Sequence, residues 1–242
     1  MTVALPGEPV DGLMVDGVRA FITTRAAGTF GTSGDEPVHE VMGRWAALVA
    51  ELRRFGPRLA SAHQVHGSRV VTHGAGWEGW LRIPAADGHV APTAGTALAI
   101  VVADCVPVFL AHASGAVALL HAGWRGTAAR ILEAGVDALR RQGVPPRELY
   151  LSLGPAICGR CYEVSPDVYE RVTGGAVSQP TRVDLREILA RQARALGISR
   201  IHASQGCTRC DNDRFFSHRA GDRGRQVAVI VAAGDPTSLD SP

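Results

Sequence analysis

A single-domain α+β fold over residues 1–242, with mixed β-sheets flanked by helices, is predicted by three features of the sequence. Hydrophobic residues make up 46% of the chain and charged residues 20%, enough to bury a real core. Short apolar runs of strand length are interleaved with longer stretches of helical spacing. No internal repeat or linker-like low-complexity segment divides the chain.

Taken in order, residues 18–24 read as a strand that ends at Arg25 and a glycine-rich turn over 28–34. The spacing of Val38, Val41, Met42, Trp45, Leu48 and Leu52 predicts a helix within 37–55, with Pro37 in its first turn, where the missing N–H costs nothing. Short strands follow around 59–63 and 70–72. The centre, 97–103, 106–111 and 116–120, is a set of apolar runs split by turn residues, and the third leads into His121-Ala-Gly-Trp-Arg-Gly126. A helix should open near Thr127 as N-cap, with Ile131, Leu132, Val136 and Leu139 on one face. Residues 149–153 form a further strand, closed by Gly154-Pro155. Asp184 caps a helix whose apolar side is Leu185, Ile188, Leu189 and Leu196. Residues 227–231 are a late strand, and 234–242 read as a frayed tail.

Composition narrows the function. No apolar run reaches the length of a membrane span, and residues 1–18 carry Glu8, Asp11 and Asp16 without a secretory pattern, so a soluble cytoplasmic protein is expected. All 25 basic side chains are arginines, the formal net charge is only +2 and no dense basic block occurs, which argues against nucleic acid as a partner. Arginine nevertheless grips phosphate with two parallel hydrogen bonds, which keeps individual arginines of interest. Five cysteines, an odd number, should be thiols or metal ligands in a reducing compartment.

Three segments put a potential metal ligand where a strand gives way to a turn: His66, Cys105 and His121. Three mixed His/Cys ligands leave a fourth position open, as catalytic zinc requires. Spacing alone also allows a core thiol and two ordinary histidines. Gly123 and Gly126 flank Trp124-Arg125 at the mouth of the expected helix, where amide N–H groups and Arg125 could receive an anion, or where a tight turn simply needs glycine. His63 precedes His66 by three residues; on a strand the two rings point to opposite faces, so His63 reads as a neighbour or surface residue. Cys158-x-x-Cys161 and Cys207-x-x-Cys210 leave open a closed four-cysteine zinc site, with free thiols near the surface as the default expectation.

The segments Gln64-Val-His-Gly67, Ala103-Asp-Cys-Val-Pro107, His121-Ala-Gly-Trp-Arg-Gly126, Gly154-Pro-Ala-Ile157 with Cys161-Tyr-Glu-Val164, and Phe215-Phe-Ser217 with Arg219 occur in the order of the YfiH-like family, also called the polyphenol oxidoreductase or laccase-domain family. The chain resembles it from about Arg25 to Val231. The resemblance implies Zn2+ on His66, Cys105 and His121 and a purine nucleoside phosphorylase, with adenosine deamination and methylthioadenosine cleavage as further activities. It implies a purine nucleoside and phosphate as partners, with Arg25 and Arg219 at the substrate and Asp87 and Asp104 beside the metal; the helix-mouth candidates Gly123 and Arg125 would join the substrate side. On this view Asp87, in a turn-like stretch, faces the nucleoside or the attacking water, while Asp104 orients a ligand. Two departures stand out: residues 28–35 lack the family's Ser-Leu-Asn-Leu-Gly, and Ser217-His218-Arg219-Ala220 lacks a tyrosine and a second arginine. A copper phenol oxidase is the weaker alternative, since the nine histidines include no His-x-His pattern. A peptidoglycan-precursor editing or binding factor is the alternative of another class. A monomer or small homo-oligomer is expected.

Overall fold

Three apolar runs in the middle of the sequence decide the architecture. In the computed structural model, which describes residues 5–234, they become strands buried on both faces and therefore covered on both sides. The expected frayed tail lies, from 235 onward, outside the described residues.

The chain starts with β1 (Gly7–Pro9), β2 (Val18–Thr23), α1 (Val38–Leu52), β3 (Arg58–Ala62), β4 (Val70–Thr72), β5 (Gly79–Ile83) and β6 (Gly88–Ala91). The central strands are β7 (Thr96–Val102), β8 (Val106–Ala111) and β9 (Val117–Ala122), followed by α2 (Trp124–Ala128) and α3 (Ile131–Arg140). The last third holds β10 (Tyr150–Leu153), β11 (Glu163–Val164), α4 (Pro166–Thr173), β12 (Thr181–Arg182), α5 (Leu185–Ala195), β13 (Arg200–Ala203) and β14 (Gln226–Ala232). Two six-stranded sheets result, in the orders β1-β2-β14-β7-β3-β5 and β13-β10-β8-β9-β6-β4, with β11 and β12 as a separate ribbon. Both sheets are mixed: β3 runs parallel to β5 and β7, β4 to β6 and β10 to β13, and the other pairs are antiparallel.

The alternation of side chains along each strand stacks these sheets into layers. Leu98, Ile100, Ala228 and Ile230 of the first sheet meet Phe109, Ala111, Val117 and Leu119 of the second. Their neighbours Ala97, Ala99, Val227 and Val229 point the other way and receive Val41, Trp45, Leu48 and Leu52 of α1. On the far side Val108, Leu110, Ala118 and Leu120 pack under Ile131, Leu132 and Val136 of α3 and Ile188 and Leu189 of α5. The order is helix, sheet, sheet, helices: the α+β fold with flanked mixed sheets that the sequence predicts. No helix among the described residues is long and apolar enough to cross a membrane.

Two expected helix starts differ: Pro37 is the N-cap of α1 and not a residue of its first turn, its carbonyl accepting from the Glu40 amide at 3.0 Å. Thr127 is not an N-cap; its amide already donates to Gly123 O at 2.9 Å inside the five-residue α2, whose cap is Gly123. Arg130, at φ 61°, then breaks the chain before α3 begins. Asp184 does cap α5, accepting from the amide of Arg186 at 2.9 Å.

Candidate metal centre

The three candidate ligands sit where strands of both sheets end. Beyond Ala62 of β3 the chain enters a loop that carries His66. The turn between β7 and β8 carries Asp104 and Cys105, and His121 lies next to the last residue of β9. Ligand atoms of His66, Cys105 and His121 lie within 4.8 Å of one another, and the two imidazoles stand edge to face at 4.7 Å. β3 ends before either histidine and His66 has φ 61°, so the opposite-face argument for His63 does not apply; the exposed His63 lies on the cleft rim, outside the trio.

A buried carboxylate builds this corner. Asp87 is wholly buried, and its Oδ1 and Oδ2 accept from the successive amides of Val65, His66 and Gly67 at 3.2, 2.9 and 2.7 Å. This nest of N–H groups fixes His66 in its left-handed conformation, which a non-glycine residue holds only when its surroundings impose it. Asp87 Oδ1 also lies 2.9 Å from His121 Nδ1, leaving Nε2 of that ring for a metal. Asp87 therefore holds the backbone at His66 and the ring of His121 and does not line the cleft, unlike the expectation from its turn-like sequence. Burial pushes its pKa up, but the His121 contact and the amides outweigh this and hold it below the usual carboxylate value.

Asp104, at φ 78°, is held differently: Oδ1 accepts from Thr208 Oγ1 at 2.6 Å and Oδ2 from the Arg219 amide at 2.7 Å. It lines the cleft and touches none of the three ligands by hydrogen bond. Gly123 has ordinary dihedrals, but a β-carbon there would stand 2.7 Å from Cys105 Sγ, so glycine is required for steric reasons.

The trio suits a metal ion. Burial would raise the Cys105 thiol, yet His121 and His66 beside it bring it down to about 6. Burial disfavours a charged His121, but the Cys105 sulfur and Asp87 raise it to about 9. A thiolate facing two imidazoles, one with its second nitrogen tied to a carboxylate, is the donor set of a three-ligand site with an open fourth position.

This corner is the floor of a cleft of about 800 Å³. Arg125, Arg219, Arg82 and Arg225 line it, together with Gln64, Trp80, Trp124 and Tyr162. Arg125 lies over the Trp124 ring at 4.4 Å and Arg219 over Tyr162 at 4.9 Å, so both cations are carried on aromatic faces. Burial first, then the charges of Cys105 and Asp104, raise Tyr162 to about 12, which keeps its hydroxyl neutral. Arg25 is not in the cleft. Its Nε donates to Asn212 O at 2.9 Å and its Nη2 to Asp222 Oδ2 at 2.7 Å, with the Phe216 ring beneath at 4.5 Å; the guanidinium is spent on the loop before β14. Sequence reading named Arg125 and Arg219 but missed Arg82, Arg225, Trp80 and Tyr162 as cleft residues. Only Tyr162 stood in a quoted motif; the others have no local signal and reach the cleft through the packing of β5 and β14.

The model of the family described as multi-copper polyphenol oxidoreductase laccase matches residues 23–233. Purine nucleoside phosphorylase ORF3 of Streptomyces griseus is 36% identical over 215 residues, covering 83% of this chain and 84% of that protein. Purine nucleoside phosphorylase YlmD of Geobacillus stearothermophilus is 35% identical over 212 residues, 78% of this chain and 75% of that one. The crystal structure of that YlmD superimposes with a TM-score of 0.84 at 28% identity over 93% of this chain and 94% of that chain. The Bacillus licheniformis hypothetical protein YfiH does so with a TM-score of 0.79 at 27% identity, over 88% and 92%. Motif order, the strand-end corner and these likenesses converge, and the chain belongs to the multi-copper polyphenol oxidoreductase laccase family, the YfiH-like family its motifs resemble.

Proposed function

We propose that the protein is a Zn2+-dependent purine nucleoside phosphorylase, with adenosine deamination and methylthioadenosine phosphorolysis as further activities of the same cleft. The observation that carries this reading is the junction of a His66/Cys105/His121 corner with four arginines in one cleft of about 800 Å³. The names of the relatives support its purine nucleoside phosphorylase part. Zinc suits the mixed nitrogen and sulfur donors, and when bound it would supply a Lewis acid at the open position. Copper chemistry of the multicopper type needs several ions, and no second histidine-bearing ligand cluster occurs among the described residues.

In this reading a phosphate oxygen attacks the anomeric carbon while the glycosidic bond breaks and the purine leaves with the electron pair, taking up a proton. Arg125 and Arg82, with the donors of Arg219 left over from Glu163 O, hold the phosphate dianion through charge-assisted hydrogen bonds. Arg225 is engaged with the carbonyls of Asp222, Arg223 and Gly224 at the cleft edge. The helix-mouth amides near Gly123 contribute little, because α2 has only five residues and sums few peptide dipoles. Trp80, Trp124 and Tyr162 offer apolar faces for the base, and the Tyr162 hydroxyl can donate to it. In this reading Asp104, which lines the cleft, takes the part of proton shuttle in deamination, and Asp87 keeps His121 in register. The enzyme works in the cytoplasm as a monomer or small homo-oligomer.

The test is product analysis with adenosine, inosine and methylthioadenosine, with and without inorganic phosphate. Free base and the sugar 1-phosphate should form only with phosphate, while inosine from adenosine should not need it. Protein that holds zinc but leaves all three nucleosides intact would favour a binding factor instead.

A further inference from the structure

Four cysteines take no part in the cleft, and the fold brings them together. Cys158 and Cys161 lie in the turn before β11, and Cys207 and Cys210 in the irregular segment between β13 and β14. Their Sγ atoms nevertheless lie within 4.8 Å of one another. A parallel bridge between Ala156 and Cys207 sets the two turns side by side, with the Thr208 amide donating to Ala156 O at 3.2 Å. Backbone amides aim at sulfur: those of Cys158 and Cys210 donate to Cys207 Sγ at 3.3 and 3.4 Å. Two N–H donors on one sulfur suit a thiolate that carries charge, since charge makes sulfur a far better acceptor than a neutral thiol is.

We propose that Cys158, Cys161, Cys207 and Cys210 form a second, closed Zn2+ site with a structural role. A Zn–S length near 2.3 Å in a tetrahedron puts sulfurs about 3.8 Å apart, and Cys161 Sγ and Cys210 Sγ stand 3.5 Å apart. All five cysteines are free, so no disulfide competes in this structure. Cys207 is buried with the core, but Cys158 and Cys161 are half-buried and Cys210 is exposed, so core packing does not account for the gathering. Four thiolates around one divalent ion carry a net double negative charge, and Arg160 and Arg209 occupy the interior of the two Cys-x-x-Cys turns. Arg209 Nη1 also donates across the site to Cys161 O at 3.3 Å.

The site has work to do where it lies. Between β13 and β14 the chain has only one turn of 3-10 helix, His218–Ala220, and segments of that length without strands or helices are uncommon in compact domains. Arg186 secures its start by donating to Ser204 O at 2.6 Å and Gly206 O at 2.8 Å. Arg25 secures its middle and end. The ion would pin the stretch between them, one residue from Thr208, which together with Arg219 holds Asp104 at the cleft.

The test is metal analysis joined to cobalt spectroscopy on the full chain purified under reducing conditions. Wild type should hold two zinc ions per chain, and Cys158→Ser/Cys210→Ser only one. With Co2+ in place of zinc, wild type and Cys105→Ser should both show the intense visible bands of a tetrahedral tetrathiolate ion, and the double variant should lack them. Because Cys105→Ser disables the other centre alone, failure of one site is told apart from failure of the other. Equal metal content in wild type and the double variant would overturn the proposal. So would an absence of tetrathiolate bands in wild type, or a Cys158–Cys207 or Cys161–Cys210 disulfide in protein alkylated directly from cells.

Discussion

Asp87 accepts three backbone amides and contacts one imidazole with a side chain that no solvent reaches. In Asp87→Asn one oxygen becomes an N–H2 group facing amide donors, so at least one hydrogen bond turns into a repulsive contact. Zinc affinity should fall about 10–100-fold, as losses of such outer partners do, read by competition with a chromogenic chelator. Asp104→Asn should keep its zinc and lose turnover in adenosine deamination. Full zinc in Asp87→Asn with depleted zinc in Asp104→Asn would reverse both roles. His66, Cys105 and His121 were legible because short motifs mark strand ends and the family resemblance names them. The role of Asp87 was not, because it depends on β6, a four-residue strand with no alternation in its sequence, pairing with β9 and closing the corner.

At the scale of elements, Arg25 marks the limit of transferring a position from a motif. Its place after β2 was read correctly, but the direction of its side chain depends on a loop about 190 residues further on in the chain. Arg25→Ala should therefore slow phosphorolysis and phosphate-independent deamination by similar factors. Loss of its partly buried, charge-assisted bonds should cost on the order of 1–3 kcal/mol, seen as a melting temperature several degrees lower. A selective loss of phosphorolysis, with stability unchanged, would return Arg25 to the phosphate site. Elements with strong periodicity, α1, α5 and β7 to β9, were legible for the opposite reason: their apolar faces are buried wherever the rest of the chain lies. The half-exposed β5 and the two-residue β11 and β12 carry no such imprint. The break between α2 and α3 is not legible because Arg130 bears no turn signature in the sequence.

At the scale of the whole molecule, the space between the sheets holds a buried pair of histidines. His73 Nε2 and His89 Nδ1 lie 2.9 Å apart, both rings are buried, and His89 Nε2 has no partner. Burial lowers His73 to about 4 and His89 to about 3, the latter helped by its neighbour. The unfolded chain takes up both protons near the ordinary histidine value of about 6.5. Between that value and about 4 it therefore binds more protons than the native state. Their contribution is complete above pH ~6.5 and is lost as the pH falls, at up to ~1.4 kcal/mol per pH unit for each ring. Denaturant midpoints should be level from neutral to mildly alkaline pH and drop steeply between about pH 6.5 and pH 4. A profile flat down to pH 5 would show that the pair is open to water.

The position of β14 has a consequence for how the chain is made. This last strand lies between β2 and β7, pairing with both. During vectorial synthesis β2 emerges first and must wait, with no neighbour but β1, until residues 226–232 have been made and join it to the rest of its sheet. The second sheet needs nothing beyond β13 and can assemble earlier, so the nascent protein passes through a half-built state whose apolar inner face is uncovered. The pairing of β14 with β2 and β7 is the latch that covers this face.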